Sequence, residues 1–172
     1  MFQNQVYVNP AVGLPGDFAS SNPMAYKLSS TGRMVADSAG VTVGHFAILN
    51  NAAASAGSGT VTSLPDAAVV SEQIGFVHRE MNAQIVTYLA ESGNTIQPGE
   101  PVALFSTGDF LVNADVVTGT PSNGAAVYWD TVTGNTIIGA PASPPATTVQ
   151  TKFYLVSDAA TVGATVIIST QA

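Results

Sequence analysis

The chain contains no cysteine, which excludes a disulfide framework and a Cys-ligated zinc site. Cations are nearly as scarce: Lys27, Arg33, Arg79 and Lys152 are the four, against eleven acids, for a net charge of −7. Proteins that grip nucleic acid replace phosphate counterions with clustered Lys and Arg, and four scattered cations form no such cluster. An anionic membrane surface is disfavoured for the same reason. Neither nucleic acid nor membrane is therefore expected as a partner. No apolar run approaches the roughly 20 residues of a membrane span. The opening MFQNQVYVNP lacks the basic start and apolar stretch of a secretory signal, so synthesis in a cytoplasm without conventional secretion is expected. Charge of either sign is thin, at 9% of residues against about 25% in an ordinary soluble domain. Such a surface suits a protein partly covered by neighbours; the plainer alternative is a β-rich domain solubilised by its hydroxyls.

The patterns of an enzyme are missing too. His45 and His78 stand 33 residues apart with no HxH or HExxH spacing, so no metal site is expected. There is no GxSxG elbow, no phosphate-binding loop and no GxGxxG turn, and no cofactor or catalytic residue is assigned. The densest polar group is His78-Arg79-Glu80. Chemically it offers a general base oriented by an acid, and with Asp109 it would make a rudimentary hydrolase. Structurally it offers a capsule of charge for a strand edge or an intersubunit contact, with Arg79 shaped to grip a carboxylate. The contact reading is preferred.

What is present is extended chain. Residues 9–23 read NPAVGLPGDFASSNP, with Pro10, Pro15 and Pro23 each fixing φ and removing a backbone donor. Residues 1–35 are read as an extended N-terminal arm and 36–172 as a β-rich body. Ordering each arm residue costs about 1–2 kcal/mol, so an arm of this length must lie on a sizeable surface. Phe2, Tyr7, Phe18 and Tyr26 are its expected anchors, with Asp17 and Asn22 as polar contacts; the plainer reading is a tail folded back on its own domain.

In the body, 41–49 alternates as one strand, 60–64 as a short one, and 74–81 as another with Phe76, His78 and Glu80 on one face. Residues 81–93 read as strand by their Ile-Val-Thr run. Residues 96–114 read as turn, strand, turn, strand, with Pro98-Gly99 as the first turn and Asp109 closing the second. Residues 125–139 read as a hairpin closed at Gly134, and 152–170 as strand, turn, strand. Short strands at this spacing predict an all-β fold, a small barrel or sandwich.

The order GDFASSNP, GVTVGHFA, GFVHRE, IQPGEPVALFSTGDF and a closing ATVIIST resembles the structural cement, or capsid decoration, proteins of tailed bacteriophages over most of the chain. This chain departs from the family pattern in having His45 where a basic residue is common and Leu111 where an aromatic often follows GDF. The resemblance implies a β-rich protein on the outer capsid surface of the virion that bridges neighbouring major capsid protein subunits and forms homo-oligomers there. It also implies that Phe2, Tyr7, Asp17, Phe18, Asn22, Tyr26, His78, Arg79 and Glu80 serve capsid or intersubunit contacts. The alternative is a carbohydrate-binding or adhesion module displayed on a virion, with Trp129 and Tyr128 stacking on a sugar.

Overall fold

The computed structural model describes residues 13–50, 59–63, 73–81, 83–84, 94–142 and 146–171. Its strands are β1 (Ala25–Tyr26), β2 (Met34–Ala36), β3 (Val41–Thr42), β4 (Phe46–Asn50), β5 (Gly59–Thr62), β6 (Ile74–Val77), β7 (Ala83–Gln84) and β8 (Thr95–Ile96). They continue as β9 (Leu104–Thr107), β10 (Asp109–Asn113), β11 (Val116–Val117), β12 (Ala126–Asp130), β13 (Thr136–Ile138), β14 (Thr148–Leu155) and β15 (Thr165–Ser169). The fold is all-β. One six-stranded sheet runs β1-β9-β6-β4-β5-β2, a second runs β10-β15-β14-β12-β13-β11, and a small third one runs β3-β8-β7. Pairing is antiparallel except for β2 with β5 and β11 with β13.

Period-two alternation explains why the first sheet lies in the middle. Phe46, Ile74, Phe76 and Phe105 join Phe110, Trp129, Phe153 and Ile168 of the second sheet in the main core. The intervening Ala47, Leu49, Val77 and Leu104 face the other way, into a second core with Val41, Val43, Ile96 and Val102. All four residues of β6 are consequently buried. A strand covered on both faces reads as a continuous apolar run, which is how IGFV stands in the sequence.

The hairpin of β12 and β13 forms as its alternation predicts, with Gly134 at a φ of 77°. Pro98-Gly99 likewise turns, with Gly99 at 80°. Three expectations are corrected. Residues 41–49 form two strands, because the chain turns at Gly44, φ 75°. A Cβ there would stand 2.9 Å from the Pro15 carbonyl carbon, so the arm crosses directly over this turn. The strand expected over 74–81 stops at Val77, and His78, Arg79 and Glu80 leave the sheet. Asp109 does not close a hairpin: β9 and β10, separated only by Gly108, belong to different sheets, and Asp109 opens β10 opposite Ser169. Of the expected strand over 81–93, residues 83–84 form β7, and 82 and 85–93 lie outside the described residues.

Candidate functional site

Residues 13–26 run along a seam between the two large sheets. The Gly16 N–H donates to Leu111 O at 2.8 Å, on β10, while Gly16 O accepts from Arg79 N at 2.9 Å, just beyond β6. Leu111 N donates to Asp17 O and Ala19 N to Asp109 O, each at 3.0 Å, and Phe18 bridges Phe110 in antiparallel register. The two GDF tripeptides, 16–18 and 108–110, thus lie against each other. Proline supplies no donor at Pro15, and its carbonyl accepts from Arg79 Nη2 at 2.9 Å.

Side chains reinforce the backbone. Phe18 stacks on His78 with ring centroids 3.9 Å apart and also meets Phe105 and Phe110, at 5.4 and 5.5 Å. Asp17 is 3.6 Å from Arg79 Nε, an ion pair rather than a hydrogen bond, and its other oxygen accepts from Leu14 N at 2.9 Å. Ser20 and Asn22 both donate to Asp109 Oδ2, at 2.6 and 2.5 Å. Gln171 Nε2 donates to Pro23 O at 2.7 Å.

Titration follows from this packing. Burial pushes the His78 imidazole below its ordinary value; Asp17 opposes that shift and Arg79 adds to it. Burial alone raises the Glu80 carboxyl. Burial would also raise Asp109, but hydrogen bonds from Ser169, Ser20 and Asn22 outweigh it and hold the carboxyl below its ordinary value.

The structure therefore brings Asp17, Phe18, Asn22, His78 and Arg79 together along one seam, through contacts within the chain. Tyr26 lies beside it on β1, 62% exposed, its ring 4.4 Å from Phe105. Phe2 and Tyr7 lie outside the described residues. Sequence reading missed Ser20, Asp109 and Gln171 as arm holders, since their partners are 87 to 148 residues away. The repeated GDF was the one available hint.

The rival chemistries fare differently. Trp129 is fully buried in the main core, so it offers no face to a sugar, and the carbohydrate-binding alternative loses that residue. His78 is covered by Phe18, whereas Asp109 lines a cavity of about 290 Å³ with Ser20, Asn22, Ser169 and Gln171, whose walls include neither His78 nor Glu80. His45 is held elsewhere, its Nδ1 3.1 Å from Gly134 O. Among the described residues no three His, Asp or Glu side chains are grouped to hold a metal.

A family model described as XM1 gp53 minor capsid protein matches residues 2–170. Among solved structures, a chain of "The capsid of Myoviridae Phage XM1" is similar at a TM-score of 0.59 and 16% identity, with 98% of this chain and 96% of that one covered. At that identity the likeness speaks for the fold alone. No curated protein matches.

Proposed function

From the premise that this chain belongs to the XM1 gp53 minor capsid protein family, and so is a structural component of a phage capsid, we propose that it is a decoration, or cement, protein. It sits on the outer surface of the head, contacts the major capsid protein and bridges neighbouring subunits. The observation that carries this reading is the family match across nearly the whole chain, arm included. The thin charge and the exposed Phe18 and Tyr26, whose rings both rest on Phe105, support it, since neighbouring large apolar side chains at a surface mark an interaction site.

In this reading the seam is an anchorage. Asp17, Phe18, Asn22, His78 and Arg79 fix residues 13–23 to the body, and residues 1–12, with Phe2 and Tyr7, reach the neighbour. Several such bridges on one shell act together, and linked contacts exceed a single one by about 10²–10⁴. The shell then resists internal pressure because capsomers separate only when all bridges break.

The test is binding of the purified full chain to heads that lack it. Saturable occupancy approaching one copy per major capsid subunit, with raised resistance of the heads to heat, is expected. A chain lacking residues 1–12 should keep the melting temperature of the body and lose head binding. No binding by the full chain overturns the cement role, and undiminished occupancy by the truncated chain overturns the role of the arm.

A further inference from the structure

The cavity of about 290 Å³ beside the seam is lined by Ser20 and Asn22 of the arm, Asp109 at the start of β10, Asn123 in the turn before β12, Ser169 at the end of β15 and Gln171 just past it. Each of these side chains carries an oxygen, and no Lys, Arg or His lines the same cavity. The three amides decide what it offers. Asn22 Nδ2 donates to Asp109 Oδ2 at 2.5 Å, Asn123 Nδ2 to Val156 O at 2.8 Å and Gln171 Nε2 to Pro23 O at 2.7 Å. A carboxylate and two carbonyls can only accept, so each amide is fixed with its nitrogen turned to the protein. The three amide oxygens enter no hydrogen bond among the described residues.

Asp109 adds an unused acceptor of its own. It is 8% exposed, its Oδ2 accepts from Ser20 and Asn22, and its Oδ1 is buried with no hydrogen-bond partner among the described residues. A buried carboxylate oxygen without a donor calls for one, or for a cation. The carboxyl is held below its ordinary value, so it is charged at neutral pH. A pocket rich in acceptors and poor in donors suits a ligand that brings only positive charge, and a chain at −7 draws one in. Calcium takes about 6–8 oxygens from carboxylate, amide carbonyl and water in a flexible arrangement, whereas magnesium demands a near-ideal octahedron. Walls drawn from the arm, β10, a turn and the end of β15 suit the more tolerant ion.

We propose that this cavity is a calcium site, with Asp109 as its one charged ligand, the amide oxygens of Asn22, Asn123 and Gln171 as neutral ligands, and water completing the shell. Bound there, the ion ties the arm at Asn22 to β10, to the turn before β12 and to the residues after β15. With a single carboxylate the site is weak, with a Kd of about 10⁻⁴–10⁻³ M, as in extracellular calcium modules. It lies within one chain and does not depend on the capsid reading, so its failure would leave that reading untouched.

The test is calorimetric titration of the metal-free full chain with calcium chloride, alongside its melting temperature. One site in that range is expected, with magnesium about tenfold weaker or more. Calcium at about 10 mM should raise the melting temperature by about 3–10 °C over sodium chloride of equal ionic strength, and should slow amide exchange at residues 19–22. Asp109→Asn should weaken binding by about tenfold or more, while Asn123→Asp, on an exposed turn, brings a second carboxylate and should tighten it by about tenfold. A chain that binds no calcium at about 10 mM, or that sodium chloride stabilises equally, overturns the proposal. Magnesium binding as tight as calcium overturns the choice of ion. Undiminished affinity in Asp109→Asn, or no gain in Asn123→Asp, overturns the placement.

Discussion

Phe18 ties the described part of the arm to the body. It stacks on His78, meets two core phenylalanines and still keeps 37% of its surface exposed. Truncation of a buried Phe costs about 3–5 kcal/mol, so Phe18→Ala, being partly exposed, should cost about 2 kcal/mol. Its denaturant midpoint against the parent's measures this. Asp109 gives the seam a pH dependence. Its folded value is depressed, so its contribution is present above the ordinary carboxylate range and is lost as pH falls through the folded value. His78, also depressed, acts in the same sense below its ordinary 6.5; Glu80, raised, acts in the opposite sense. Asp109→Asn should therefore be less stable than the parent at neutral pH, with the gap narrowing on acidification. Urea midpoints measured across pH would show it, and a gap that widens in acid would refute it.

Among elements, the turn between β3 and β4 owes its form to the arm. Gly44 holds a positive φ, and a Cβ there would lie 3.0 Å from Gly16 N as well as 2.9 Å from the Pro15 carbonyl carbon. Gly44→Ala meets both the φ penalty, about 1 kcal/mol, and a collision with backbone that cannot swing aside. A loss of about 2–4 kcal/mol is expected, visible as a lowered melting temperature. The same crossing explains where sequence reading succeeded and failed. β12 with β13 and β14 with β15 were legible because alternation and a nearby glycine turn specify them locally. The break at Gly44, the early end of β6 and the sheet change at Gly108 were not. Each is decided by a partner far along the chain: Pro15 over Gly44, Gly16 beside Arg79, and Ser169 opposite Asp109. Of the candidate site, the aromatic anchor Phe18 and the His78-Arg79 pair were legible as unusual residues. That they would meet one another was written nowhere in their spacing.

At the scale of the molecule, two cores flank one central sheet, and the single tryptophan goes to the larger of them. The sugar-stacking alternative for Trp129 fails because the β12–β13 hairpin packs that side chain into the main core, beside Phe46, Phe110 and Phe153 in the same cluster. The exposed Met24, Tyr26 and Leu28 lie on a segment free of acid.

The seam also has a mechanical meaning. Gly16 is hydrogen-bonded at once to Leu111 on β10 and to Arg79 just beyond β6, and the chain beyond it lies antiparallel to β10 with bonds at Leu111 and Asp109 in succession. Tension entering at the beginning of the chain and directed along β10 would meet these links in shear, loaded together, and would not peel them apart singly. A load of that kind would therefore be met at the seam before it reached the sheets behind it.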